Sequence, residues 1–295
     1  MILVVGSTGL LGREICRRLA AKGKPTRALV RATSDQAKVA ELKGYGAEIV
    51  VGDLRDRASL DAACQGVTAV ISTVSSIPFS YVPGQNDLQT VDLEGVTDLI
   101  AAAEAAGVEH FVYISFPPME IEFPLQDAKR AVEQRLRSSG LDYTILRPTF
   151  FTEVWLSPAL GFDCANRKVQ LYGTGLNPLS WISFQDVAHF AVESLDSPAA
   201  RNVTLELGGP QTLAPAEVVR IFEQVGGQPF EVQYVPVEAL RAQYAASADP
   251  MQKCFAAMMI CCAAGTVIDM SETLKSFPVR LRSVHEYARQ VLAQA

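Results

Sequence analysis

Three glycines spaced three apart, Gly6, Gly9 and Gly12, stand between a short apolar run at 2–5 and a segment of helical periodicity at 9–21. The order is strand, tight turn, helix. Gly6 permits a turn directly off the strand, Gly9 lets backbone approach a ligand closely, and Gly12 lets the helix pack near the strand. A helix starting there offers unpaired N–H groups and a partial positive charge, which suit a pyrophosphate. The turn and its flanks, Gly6, Ser7, Thr8, Gly9, Leu10, Leu11 and Gly12, are therefore predicted to bind a dinucleotide.

The alternation that begins there continues through the first half of the chain. Strands are predicted at 2–5, 25–30, 48–51, 69–72, 111–115 and 143–146, with helices at 9–21, 36–44, 57–64, 93–106 and 125–138 between them. This rhythm predicts an α/β fold, a Rossmann-type doubly wound parallel sheet covered by helices on both faces. After Arg147-Pro148 the rhythm changes: 154–180 is rich in Gly and Pro, and Ser183 and Asp186 have the spacing of a helix-capping pair. A strand is predicted at 203–207, followed by helices at 214–225, 237–246, 252–264 and 283–293. The expected division is a dinucleotide-binding core over 1–153, with 181–207 returning to it. Residues 154–180 and 208–295 are expected to form a smaller, mainly helical C-terminal substrate lobe.

The choice of cofactor is read from the end of the second strand. An acidic residue there binds the ribose 2′-hydroxyl of NAD(H). Here Val30 is followed by Arg31, Ala32, Thr33 and Ser34, with no acid before Asp35. Arg31 suits a 2′-phosphate because its planar fork pairs with phosphate oxygens, and Thr33 adds a hydroxyl; this favours NADP(H) over NAD(H). Asp53 and Leu54 close the third strand, where the carboxylate is placed to accept from an adenine amino group. Ser72, Thr73 and Val74 close the fourth, beside the expected reversal of strand order. For both strand ends an ordinary structural role stays open.

Composition narrows the field. The chain has 295 residues and a net charge of −6 with no Lys/Arg run, so no basic face for nucleic acid is expected. The longest apolar stretch, 255–264, falls far short of the ~20 residues a membrane span requires. Six cysteines without a CxxC pair read as reduced thiols, and three scattered histidines argue against a metal site. No secretory signal is read at the N-terminus, so a cytoplasmic location is expected.

Several segments together resemble the NmrA-like group of atypical short-chain dehydrogenases/reductases, with its isoflavone-reductase-like and quinone-reductase-like relatives. They are the glycine triplet, Val30-Arg31, Gly52-Asp53-Leu54, Tyr113-Ile114-Ser115, Lys129, Leu146-Arg147-Pro148-Thr149 and the run from Trp181 to Ala188. The resemblance covers about the first two-thirds of the chain and implies NADP(H) as cofactor. It also has a gap. Typical members carry Tyr-x-x-x-Lys, with the tyrosine as general acid and the lysine lowering its pKa. Here the residue four before Lys129 is Leu125.

Lys129 stands out independently. It falls within the apolar stripe Leu125, Ala128, Val132 and Leu136, so it must either snorkel or reach a polar partner such as a cofactor ribose. Partial desolvation would lower its pKa towards acid–base work near neutrality. Ser115 is a second catalytic candidate, placed to orient a carbonyl, although a turn serine is an equal alternative. Phe150 and Phe151, which follow Pro148-Thr149, are candidates to wall the nicotinamide ring, or simply core, and Pro148 is a further cofactor-binding candidate. The segment 255–262, apolar on all sides, reads as a buried helix or as a Met-lined lid over an apolar pocket. Two functions follow. One is an NADPH-dependent reductase delivering hydride to a small apolar carbonyl, enone or quinone, with Lys129 and Ser115 steering the proton. The other is a non-catalytic NADP(H)-binding sensor or assembly factor with a partner protein, or a subunit that uses the cofactor only as a folding staple. The retained Lys129 tilts the balance to the reductase.

Overall fold

Strand β1 (Ile2–Val5) is buried along its whole length, and the chain leaves it through Gly6 into helix α1 (Leu10–Ala21). One face of α1 buries Leu11, Ile15, Cys16 and Leu19, while Glu14 pairs with Arg17 and Arg18 on the other. The units β2 (Thr26–Val30), α2 (Gln36–Gly44), β3 (Glu48–Val51) and α3 (Arg57–Cys64) repeat the pattern. Asp35 caps α2 by accepting from the Ala37 N–H at 2.8 Å, and Asp56 caps α3. Then come β4 (Ala69–Ser72), α4 (Val96–Ala105), β5 (His110–Ile114), α5 (Pro124–Arg137) and β6 (Asp142–Pro148). The computed structural model describes residues 1–78 and 80–293.

The register fixes the topology. β1 pairs in parallel with β2 on one side, Leu3 opposite Arg27, and with β4 on the other, Leu3 opposite Val70. Parallel pairings of β2 with β3, β4 with β5 and β5 with β6 complete the order β3-β2-β1-β4-β5-β6. The strand Val203–Leu207 adds a seventh position outside β6. This is the expected Rossmann-type doubly wound sheet. Its strand order reverses between β1 and β4, where strand ends diverge and leave a crevice.

From β1 to β6, strand and helix positions follow the hydrophobic rhythm closely, with one local departure. In place of a helix beginning at 93, the chain forms a π-helix over Leu88–Gly95 that runs into α4. Asp87 starts it: its carboxylate accepts from the Thr90 N–H at 2.9 Å while Thr90 returns a bond to the Asp87 N–H at 3.2 Å. The wider turn places Leu88, Val91, Asp92 and Gly95 on the buried side, a spacing a 3.6-residue period does not describe.

The chain divides into two compact units. The first comprises Met1–Phe116, Leu125–Arg147 and Val187–Leu205; the second comprises Pro117–Pro124, Pro148–Asp186 and the chain from Glu206 onward. Residues 148–153 and 181–186 thus group with the second unit. That unit contains the helices Pro215–Gly226, Val237–Ala246, Pro250–Ala264 and Val284–Leu292. It also contains strands that periodicity did not reveal: Lys168–Tyr172 pairs in parallel with Glu231–Val235, Val169 opposite Val232. Glu231–Val235 is mostly exposed, so it carries little apolar alternation to read, and its partner defines it. The helix Pro250–Ala264 buries Cys254, Ala256, Ala257, Met259, Ile260, Cys261, Cys262 and Ala263, and is core within its unit. Burial pushes the Cys262 thiol up to about 12.

Glycine substitutions at two helical positions should move stability in opposite directions. A methyl group on Gly12 would lie 2.2 Å from the Gly6 carbonyl oxygen, whereas one on Gly44 would meet nothing within 4 Å. Gly12→Ala is expected to cost about 1–3 kcal/mol and Gly44→Ala to add about 0.5–1 kcal/mol, read from urea unfolding midpoints. Equal effects would contradict this packing.

Candidate functional site

Gly6, at φ +80°, turns the chain where a side chain would be strained, and a Cβ there would sit 2.6 Å from the Thr73 hydroxyl. The Gly9 N–H donates to the Gly6 carbonyl at 3.0 Å, closing the turn. Gly9 is the N-cap of α1, with no side chain capping the first turn and no acidic residue in it, so that helix terminus keeps its N–H groups and positive potential available. Gly6, Thr8 and Gly9 line a cavity of about 330 Å³ with Val5, Thr73 and Val74 at the reversal of strand order. The other members of the predicted turn stand outside the cavity lining. The buried Ser7 hydroxyl donates to the Leu29 carbonyl at 2.6 Å, Leu11 and Gly12 are buried, and Leu10 is exposed outside the cavity lining. Ser72 is likewise fully buried.

The cavity extends along the ends of β2 and β3 to Arg31, Ser34, Lys38, Asp53 and Leu54. The Arg31 N–H donates to the Ser34 hydroxyl at 3.0 Å, and its guanidinium reaches Asn86 Oδ1 at 3.0 Å. Lys38, in the first turn of α2, lines the same end and makes no ion pair among the described residues. Thr33 is exposed and stands apart from the lining. Asp53 is held by Arg55 through bonds of 2.9 and 2.7 Å, which keep its carboxyl below the usual range.

Lys129 is only 4% exposed and lies behind the cavity wall. Its ammonium donates to the Val74 carbonyl at 2.8 Å and the Ile114 carbonyl at 3.3 Å, and lies 3.9 Å from Asp92 Oδ1. Asp92 is itself fully buried, and its other oxygen accepts from the Ser76 N–H at 2.9 Å and hydroxyl at 2.5 Å. Burial pulls the Lys129 amine below its ordinary value against the attraction of Asp92, and pushes the Asp92 carboxyl up. The apolar stripe is therefore interrupted by an internally satisfied lysine, and the snorkelling alternative is removed.

Ser115 belongs to a second polar cluster. Its hydroxyl donates to Glu133 at 2.7 Å and receives Arg130 at 3.3 Å. Glu133, 1% exposed, also accepts from Arg130 at 2.7 Å, Arg147 at 3.0 and 2.6 Å, and Arg137 at 3.2 Å. Burial alone would push this carboxyl up, but Arg147, Ser115 and Arg130 outweigh it and hold it below its ordinary value. The Ser115 proton is thus already engaged. Pro148 and Phe150 lie in the second unit, where Phe150 packs edge-on against Trp155 at 4.7 Å.

The structure brings together Gly6, Thr8, Gly9, Arg31, Asp53, Leu54, Thr73 and Val74 around one cavity. Sequence reasoning missed Lys38, Asn86, Asp92 and Glu133. Glu133 had a signal: it follows Lys129 by four residues, on the same helix face. Asn86 and Asp92 had none, because both follow β4 in a segment whose path depends on tertiary contacts.

A doubly wound sheet with a glycine turn opening into a cavity at its strand-order reversal defines a Rossmann-type α/β protein. The chain belongs to the NmrA-like family, whose model matches residues 1–288. It is 34% identical over 247 residues to the photosystem II assembly factor Ycf39 of Trieres chinensis, covering 81% of this chain and 73% of that protein. It is also 34% identical over 248 residues to the NAD(P)H azoreductase of Xenophilus azovorans, covering 83% and 80%. The triphenylmethane reductase of Citrobacter sp., solved in complex with NADP(H), shares the fold with a TM-score of 0.79 at 22% identity, covering 98% of this chain and 99% of that one.

The Glu133 cluster has a pH signature. Its folded-state pKa lies below the ordinary value of 4.5, so its stabilisation is complete above that pH and is lost as pH falls through the folded value. Glu133→Gln is expected to cost about 3 kcal/mol at pH 7, with the gap to wild type closing below pH 4.5. Urea unfolding at pH 7 and pH 4 measures this. A gap that does not change with pH would show that the carboxylate charge is not what the arginines recognise.

Proposed function

We propose that the chain binds NADP(H) in the cavity over its glycine turn and acts as an NADPH-dependent reductase on a small apolar carbonyl, enone or quinone. The observation that carries the reading is the pairing of two features in the wall of one cavity. An uncapped helix N-terminus, at Gly9, is one, and Arg31 with Lys38 is the other. A pyrophosphate fits the first and a 2′-phosphate the second. The glycine geometry fits the same group, because a Cβ on Gly6 would meet Thr73 at the cavity rim and one on Gly12 would collide with the turn. When bound, the cofactor supplies the hydride. The azoreductase relative supports reductase chemistry.

Of the two catalytic candidates, Lys129 is the better placed to hold a proton. Its amine is weakened by burial, and Val74, which carries one of its carbonyl partners, lines the cavity. Release of that proton to a substrate requires Nζ to leave the Val74 carbonyl. The Ser115 hydroxyl is engaged by Glu133 and Arg130, which speaks against its orienting a substrate carbonyl. The coverage of Lys129 favours a second reading, an NADP(H)-binding sensor or assembly factor in which the lysine only ties strand ends together. The Ycf39 relative supports that alternative.

The experiment is NADPH oxidation, followed by absorbance, against quinones, enals and aromatic aldehydes, with direct binding of NADPH and NADH measured alongside. Turnover that collapses in Lys129→Met with NADPH binding retained is expected for the reductase. Tight binding without turnover of any acceptor would transfer the assignment to the sensor. Arg31→Ala is expected to weaken NADPH by about 10- to 100-fold, the loss of one or two charge-assisted hydrogen bonds, and to leave NADH nearly unchanged.

A further inference from the structure

Arg31 is exposed, and a long flexible cation at a cavity mouth loses rotamer freedom when it engages a ligand. Here it is already held. Its Nη1 donates to Asn86 Oδ1 at 3.0 Å, and Asn86 Nδ2 donates in turn to the Ser80 carbonyl at 2.5 Å and the Ser80 hydroxyl at 3.2 Å. The orientation of the amide is fixed by its neighbours, since a guanidinium can only donate and a backbone carbonyl can only accept. The Asn86 backbone is anchored by two bonds to Val82, each 2.8 Å, and the adjoining Gln85 carbonyl accepts from Arg55 at 2.8 Å. Residues 80–87 are therefore hooked onto two arginines from the ends of β2 and β3. Arg31, Ser34, Lys38, Ser80 and Asn86 all line the same cavity.

The partner's chemistry matters as much as its position. A carboxylate facing Arg31 would form an ion pair and compete with an incoming phosphate. An amide holds one donor without forming an ion pair and leaves the remaining guanidinium donors open; the nearby Asp53 carboxylate feels the charge of Arg31 but is held by Arg55. We propose that Asn86 is a positioning residue that presets Arg31 for the 2′-phosphate and thereby sets the preference for phosphorylated over unphosphorylated dinucleotide. This rests on the cofactor reading above and adds the residue that controls its selectivity.

The test is a double-mutant cycle read by direct binding of NADPH and NADH, by calorimetry or nucleotide fluorescence, to wild type, Asn86→Ala, Asn86→Asp, Arg31→Ala and Asn86→Ala with Arg31→Ala. Asn86→Ala is expected to raise the NADPH Kd by about 5- to 10-fold while NADH stays within about twofold. Asn86→Asp is expected to lose more on NADPH, because its charge pairs with Arg31. In the Arg31→Ala background, Asn86→Ala is expected to add no further loss, since its effect passes through the arginine. Parallel weakening of both nucleotides would instead report a damaged loop and overturn the proposal. So would an unchanged Kd ratio, or additive losses in the cycle. A wild type without preference for NADPH would overturn the cofactor reading and this inference together, and it is read before any variant is made.

Discussion

Helix α1 lies so close to the end of β1 that only hydrogen fits between them at Gly12, and most of the first unit's organisation depends on that contact. The close approach sets the start of α1 directly above the turn, with its first N–H groups uncapped. It also brings the Thr73 hydroxyl against the backbone at Gly6, 3.3 Å from its carbonyl, so that the ends of β1 and β4 form one rim. The cavity is the space that remains when the strand order reverses there and α1 cannot move outward. A larger residue at Gly12 would push the helix away from the turn, whereas one at Gly6 would meet Thr73 at the end of β4.

Charge is handled differently in three places within the first unit. Glu133 is surrounded by more positive charge than it can neutralise, and its carboxylate becomes the fixed centre for Arg130, Arg137 and Arg147. Lys129 and Asp92 are both removed from water but stand 3.9 Å apart. The lysine donates to two carbonyls, one Asp92 oxygen accepts from Ser76, and the other faces the lysine without a hydrogen bond among the described residues. Their mutual attraction only partly offsets the cost of burial. Arg31 is the third case, held by a neutral amide at the edge of water. The first arrangement ties three arginines to one carboxylate, the second is the one on which the proposed proton donor rests, and the third is the one on which the proposed 2′-phosphate site rests.

Much of the fold was legible from spacing alone. Apolar runs of four or five residues separated by amphipathic helices located the strands of the sheet and their flanking helices, because the central strands such as β1, β4 and β5 are buried on both faces and each helix on one. The glycine turn and Arg31 were legible because both are local: one is a backbone requirement and the other a strand-end position. Asn86 was not, since it gains its meaning only when residues 80–87 fold back onto β2. The strand Glu231–Val235 was not legible either, being exposed along most of its length and defined by Lys168–Tyr172, more than sixty positions earlier.

By itself, the sequence determined the class of fold, the position of the glycine turn and the presence of a lysine on a buried helix face. These follow from period, glycine placement and polarity, which act over a few residues. Only the tertiary structure decided what that lysine touches, that the Ser115 hydroxyl is committed to Glu133, and that a neutral amide faces Arg31. The physical reason is range: hydrogen bonds such as Lys129 to Val74 and Arg31 to Asn86 join residues 55 positions apart in each case, and no local pattern encodes which distant partner a side chain will meet.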